Sequence, residues 1–327
     1  MVRRASLGGL ARWLGVAATC GMFVVLVMGA TVTNTGSEHG CGRSWPLCHG
    51  QFIPQMAVST MIEFSHRAVV GVESALIIGL AILAVVAHWR RQEVRFLASL
   101  MVVFLFLQAG LGAWAVMQPQ SAAALALHFG VSLIAFASVL LMTVLLFEID
   151  DRDMLSTRPL SHRYRALVWA VTGYSYVVVY LGAYVRHSDA DQACTGWPLC
   201  NGAVIPRFHD KVGAVFIHRT AAGLLFFAVL GLFVWSSRMR ENRPDLFVGS
   251  ASALLFVILQ ALSGALVVWT RMDLFSALAH AALVALMFGS LTYICMHVTP
   301  PRASTVRQED PSIPRTGTRQ EPAGASR

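Results

Sequence analysis

Eight apolar runs, each close to the roughly 20 residues a helix needs to cross a bilayer, alternate with shorter polar stretches. They cover about 13–33, 60–87, 96–116, 122–147, 166–186, 213–236, 246–269 and 273–298. The pattern predicts an all-α integral membrane protein of eight transmembrane helices, and an even number puts both ends of the chain on one side. The first run follows charged residues, as a cleavable signal would. It is long, however, and has no clear small-residue cleavage site before the polar loop, so it reads as a retained helix. Residues 299–327, rich in Pro, Arg, Ser and Thr, have no apolar periodicity and read as a disordered tail.

Composition agrees with the spans. The chain is 56% hydrophobic and 13% charged, whereas soluble domains carry about 25% charged residues, which excludes an ordinary soluble protein. Six cysteines in 327 residues are too few for a disulfide-dense secreted scaffold. The net charge of +8 comes from 24 Arg and one Lys against 17 acids. Such an excess would suit a nucleic-acid binder, but the Arg lie at membrane edges and the partner they imply is the lipid surface. Eighteen fall on one face: Arg3, Arg4 and Arg12, then Arg90, Arg91 and Arg95, then Arg152, Arg158, Arg163 and Arg165, then Arg238, Arg240 and Arg243, and five in the tail. The positive-inside rule makes that face cytoplasmic, and with it both termini.

Comparison of the chain with itself gives one recurring offset, 152. It relates Trp45-Pro46-Leu47-Cys48 to Trp197-Pro198-Leu199-Cys200, His66-Arg67 to His218-Arg219, Gly71 to Gly223, Gln108 to Gln260, Gly112 to Gly264, and His128 to His280. Gly29 with Gly182 and Cys41 with Cys194 stand at 153, so a one-residue indel separates the two loop cysteines. The expected architecture is therefore two tandem four-helix bundles in the same orientation, related by a pseudo-twofold axis along the membrane normal. Residues 1–147 would form the first, 148–165 a cytoplasmic linker, 166–298 the second and 299–327 the cytoplasmic tail.

Each unit has one His early in its second helix and one early in its fourth. His66 and His128 lie six residues into runs that start near 60 and 122, about 9 Å below the outer surface at 1.5 Å per residue. Two imidazoles at one depth suit the opposite faces of a haem, and His218 and His280 repeat the arrangement. The plainer alternative is a polar residue that glues helices together. Four at two matched depths favour ligation, because ionisable groups inside a membrane are costly and usually functional. Arg67 and Arg219 directly follow two of these residues; they would either meet haem propionates or reach out to head groups.

Glu63 lies three residues before His66 and shares its helical face, but its repeat partner is Val215. A carboxylate beside one proposed haem and an apolar side chain beside the other would make the first half the reaction site. The competing reading is an interaction with the dipole of the first helical turn. A di-iron Glu-x-x-His site is unsuitable, since it needs a second copy that Val215 removes. Cys41 and Cys48, like Cys194 and Cys200, form close pairs in the two long outer loops and read as disulfides on the oxidising side. For the first pair, thiol chemistry with a substrate or partner stays open. Cys20 and Cys295, inside spans, read as packing residues.

Taken together, these segments resemble the heme A synthase family in its cysteine-bearing bacterial form. The resemblance is carried by Cys-Gly-Arg-Ser-Trp-Pro-Leu-Cys-His-Gly (41–50), Ile-Glu-Phe-Ser-His-Arg (62–67), Ala-Leu-His-Phe-Gly (126–130), Cys-Thr-Gly-Trp-Pro-Leu-Cys-Asn-Gly (194–202), Ile-His-Arg-Thr (217–220) and Ala-Leu-Ala-His (277–280). It implies an eight-helix oxidoreductase of the bacterial cell membrane that converts the C8 methyl group of heme O to the formyl group of heme A through an alcohol, for a terminal cytochrome oxidase. It also implies that His66 and His128 flank the substrate haem, that Glu63 assists there, and that His218 and His280 hold a resident heme B. Implied partners are the farnesyltransferase that makes heme O, oxidase assembly factors, and further copies of the chain. Many members have an Arg after the first span where this chain has Thr33, while the second half keeps Arg186.

Two other functions compete. A bis-His dihaem electron carrier of the cytochrome b kind would need the four histidines but not Glu63. A transporter would suit duplicated bundles, but no span shows the broken centre that a midplane site needs.

Overall fold

The structure, a computed structural model, describes residues 2–55, 57–118, 121–152 and 160–299. Eight helices follow in chain order: α1 (Val2–Asn34), α2 (Val58–His88), α3 (Gln92–Met117), α4 (Ala122–Glu148), α5 (His162–His187), α6 (Asp210–Ser237), α7 (Pro244–Trp269) and α8 (Leu274–Val298). All eight contain a segment long and apolar enough to span a membrane, and the protein is a multi-pass membrane protein. Most of the expected tail, 300–327, and residues 153–159 of the expected linker lie outside the described residues.

The helices outrun the apolar runs at several ends. An apolar run marks the hydrocarbon core, whereas a helix continues until its free backbone groups find other partners. Thus α5 begins at His162, where the Ser161 hydroxyl accepts a bond from the Tyr164 N–H at 3.2 Å. Helix α7 begins with Pro244 in its first turn, a position where the missing N–H costs nothing.

Packing closes two circuits. In the first half α1 packs on α2 and α4, α2 on α3, and α3 on α4; in the second, α5 packs on α6 and α8, α6 on α7, and α7 on α8. The circuits meet where α4 touches α5 and α8, and where α1 touches α8. Helix α4 is accordingly the most enclosed, with 72% of its apolar window buried. Small residues set these approaches, as expected where lipid offers no hydrophobic driving force. Gly15 of α1 faces Thr143 of α4, Gly130 of α4 faces the Tyr180 ring of α5, and Gly289 of α8 faces Leu140 of α4. Large side chains such as Ile82, Phe96, Phe106, Phe227 and Trp269 point outward, toward lipid. Cys20 is also exposed, which corrects its expected packing role: residues 18 and 22 of α1 are its buried face. Cys295 is buried and donates to the Thr172 hydroxyl oxygen at 3.2 Å, tying α8 to α5.

At the end carrying the α4–α5 connection, Arg side chains cover the last carbonyls of α4 and α8. Arg91 donates to Ile149 O at 3.1 Å and Arg243 to His297 O at 2.9 Å. These cations oppose the partial negative charge of a helix C-terminus. Arg152, 1% exposed, bonds Glu93 at 2.6 Å and Met296 O at 3.0 Å, and His297 contacts Glu148 at 2.9 Å. The two halves are thus joined by a buried polar seam at this end.

The opposite end carries the two long loops. Each is closed by a disulfide, Cys41–Cys48 and Cys194–Cys200, and by a tight turn with bridges Cys48↔Gln51 and Cys200↔Ala203. The central residues His49 and Gly50, and Asn201 and Gly202, all have positive φ. Two successive left-handed residues make the hairpin turn for which Asn-Gly is the preferred pair.

Candidate functional site

All four proposed ligand histidines sit near the loop end of their helices, and each lies against a glycine of the preceding helix. A Cβ added at Gly29 would stand 3.5 Å from His66 Cε1, at Gly112 3.3 Å from His128, at Gly182 2.8 Å from His218, and at Gly264 3.2 Å from His280. The repeat kept these glycines because each leaves the space an imidazole ring occupies. His66 lies within electrostatic range of His128, and His280 within range of His218. The structure therefore brings together the pairs expected from depth alone.

Three of the rings, His66, His128 and His218, have a buried Nδ1 with no hydrogen-bond partner. His280 differs: its Nδ1 lies 2.8 Å from Ser263 Oγ, and the Gln260 amide contacts both ring nitrogens. Paired imidazoles, glycine-lined and enclosed by apolar helices, form the donor set a haem iron takes, usually with the second ring nitrogen bonded to a neighbouring group. The residues present fit that group, and Ser263 is such a neighbour for His280.

Beside His66, Glu63 is 3% exposed. Its Oε2 accepts the Cys41 N–H at 2.8 Å and its Oε1 accepts Arg67 Nη2 at 2.5 Å. Arg67 in turn donates to Ser44 O at 2.7 Å and Leu47 O at 3.0 Å. Glu63 and Arg67, one turn apart on α2, therefore clamp the Cys41–Cys48 loop over the pocket. Gly40 O completes the attachment, accepting the Thr60 hydroxyl at 2.7 Å and facing His49 Nε2 at 2.9 Å.

The second loop is held by only half of this device. Arg219 donates to Gly196 O at 2.7 Å, and to Leu199 O and Cys194 O at 3.3 Å. Where Glu63 would stand, Val215 packs in an apolar cluster with Cys194, Cys200, Val185 and Ala190. Both guanidinia are thus engaged by loop carbonyls, a role that neither propionate contact nor snorkelling anticipated. Arg186 reaches across the halves, donating to Asn34 Oδ1 at 3.0 Å and Thr33 O at 3.2 Å. Its neighbour His187 lies within electrostatic range of His128, so the second half contributes to the surroundings of the first pocket.

A profile of a family described as cytochrome oxidase assembly protein matches residues 55–292, which include all four histidines and Glu63. The chain belongs to this family. Among curated relatives, heme A synthase of Geobacillus kaustophilus is 42% identical over 304 residues, covering 92% of this chain and 95% of that one. Heme A synthase of Bacillus licheniformis is 44% identical over 292 residues, 87% and 95% of the two chains. That of Shouchella clausii is 44% identical over 302 residues, 90% and 99%.

Sequence reasoning missed the loop clamp, because which way an interfacial Arg turns depends on a loop whose path the pattern does not specify. It gave His187, at the end of its span, no ligand role, and it passed over Glu73, a carboxylate in the middle of α2. The signal for Glu73 was present: an acid inside an apolar span is a functional candidate by default.

Proposed function

We propose that the chain is a heme A synthase, an oxidoreductase that converts the C8 methyl group of heme O to the formyl group of heme A through an alcohol. The observation that carries this reading is the asymmetry between two otherwise matched histidine pockets. A buried carboxylate stands beside His66, and a valine in an apolar cluster stands beside His218. In this reading His66 and His128 hold the iron of the substrate haem, and His218 and His280 that of a resident heme B. When bound, heme B supplies a one-electron redox centre. Glu63 holds or moves a proton at its carboxylate oxygens and orients the reacting edge of the substrate. Its bond to Cys41 N–H keeps the Cys41–Cys48 loop closed over the pocket, which excludes water. Arg67 and Arg219 hold the loops, and in this reading each would be the cation offered to a haem propionate.

The same reading takes the two circuits as tandem units, 1–147 and 166–298, related by a pseudo-twofold axis along the membrane normal. The loops then face outward, and both termini and the 148–165 linker lie in the cytoplasm of a bacterial cell. Partners are the farnesyltransferase that supplies heme O, oxidase assembly factors, and further copies of the chain.

The test is expression in cells that make heme O but lack this step. Appearance of heme A, with the alcohol as intermediate, supports the reading. Bound heme B with no conversion of heme O would instead make the protein an electron carrier.

A further inference from the structure

The first half holds a second carboxylate that takes no part in the loop clamp. Glu73 follows His66 by seven residues on α2, two turns along the same face and about 10 Å deeper at 1.5 Å per residue. It is 3% exposed, and its Oε1 is buried without a hydrogen-bond partner. The carboxyl group fills the niche left by Gly21 of α1, where any Cβ would collide with it.

The second half treats this niche differently. The counterparts of Glu73 and Gly21, at the offsets of 152 and 153, are Leu225 and Tyr174. Tyr174 donates to Ala221 O at 3.1 Å, and Leu225 is 2% exposed. An aromatic ring and an aliphatic side chain thus occupy in one half what a glycine and an acid occupy in the other.

Among the described side chains, no cation pairs with the acid. The ionisable groups of α2 itself are Glu63, His66 and Arg67 toward the loop end and His88 at the far end. On α3 they are Glu93 and Arg95, at the end away from the loops, and on α1 Arg3, Arg4 and Arg12 at that same end and the exposed Cys20. Among the described residues Glu63, Glu93 and Arg12 are engaged elsewhere, and no ion pair reaches Glu73. A lone carboxylate in apolar surroundings takes up a proton rather than stay charged.

We propose that Glu73 is a proton-binding site within the membrane, filled in the resting protein at neutral pH, that exchanges its proton with bulk water when the charge in the His66–His128 pocket changes. The coupling half of this proposal rests on the haem reading above; the proton-binding half does not. At a pH high enough to ionise Glu73, an electron delivered by a one-electron reductant to a haem held by His66 and His128 would favour return of one proton from water to the Glu73 carboxylate, forming one O–H bond and leaving hydroxide. Reoxidation breaks that bond and returns the proton. Charges about 10 Å apart at an effective dielectric near 20 alter a binding constant on the order of tenfold. By reciprocity the haem reduction equilibrium shifts by the same factor, 59 mV for a one-electron couple.

The full-length purified protein is titrated with alkali while its infrared spectrum is recorded, alongside Glu73→Gln and Glu73→Leu, the latter copying the second half. The expected result is a protonated carboxylic acid C=O band at neutral pH in the wild type, absent from both variants. A wild-type spectrum at neutral pH that lacks a band removed by either variant overturns the proposal, whatever haem is bound. In haem-loaded protein, dithionite titrations should show a midpoint for the first-half haem that falls with rising pH by up to about 59 mV more in the wild type than in Glu73→Gln. Equal pH dependence overturns the coupling while leaving the band to judge the proton site.

Discussion

Replacing Glu63 with Gln separates chemistry from loop closure. The carboxylate accepts two donors, Cys41 N–H at 2.8 Å and Arg67 at 2.5 Å, so an amide can serve only one of them and must present its NH2 to the other. Arg67 keeps Ser44 O and Leu47 O. We therefore expect a loss of about 2 kcal/mol, below the ~3–5 kcal/mol of breaking a fully buried pair. That opens the loop about thirtyfold more often, measurable as faster hydrogen exchange at the Cys41 and His49 amides, whose loop bonds depend on the clamp. A proton-handling role adds a further factor on the order of a hundred or more in rate. The control is Cys41→Ser with Cys48→Ser, which opens a loop of sequence separation 7 at a cost of about 2 kcal/mol and leaves Glu63 in place. The assay is the ratio of heme A to heme O extracted from cells making heme O. Glu63→Gln should retain haem yet fall well below the cysteine variant. Output equal to the wild type, or no lower than the cysteine variant, refutes a chemical role for Glu63.

Two further outcomes follow from packing. Gly182→Ala places a methyl group 2.8 Å from His218 Cε1, whereas Gly29→Ala places one 3.5 Å from His66; haem content read from the visible spectrum should therefore fall sharply for the former and little for the latter. Arg243→Leu strands Asp245 and uncovers His297 O, and breaking so buried a pair should cost about 3–5 kcal/mol, seen as a lowered thermal transition in detergent while isolated substitutions of exposed Arg leave it unchanged.

The fold was legible wherever a physical requirement leaves a mark along the chain. Crossing the hydrocarbon core demands a long apolar run, and eight runs gave eight helices. The His and Gly positions were legible as a repeat, although only packing shows why Gly29, Gly112, Gly182 and Gly264 accompany them: each is the floor beneath an imidazole. What depends on helical phase was not legible. Cys20 faces outward because the buried face of α1 is set by Ala18 and Met22, and a uniformly apolar run does not announce its phase. The partners of Arg67 and Arg186 depend on loop paths and on contact between the halves, which local pattern does not carry. Glu63 and Glu73 were both legible as acids in the most apolar of the spans, but that Glu73 Oε1 is left without a partner depends on how the helices pack.

The central claim is a division of labour between two similar pockets, and haem extraction from ligand variants tests it most directly. Protein carrying His128→Ala and protein carrying His218→Ala are purified from cells making heme O, and their extracted haems are identified by chromatography and mass. The first variant should retain heme B and lose heme O, its alcohol and heme A. The second should lose heme B. Loss of the same haem from both variants, or heme B alone in the wild type, would contradict the assignment of substrate to the first half and cofactor to the second.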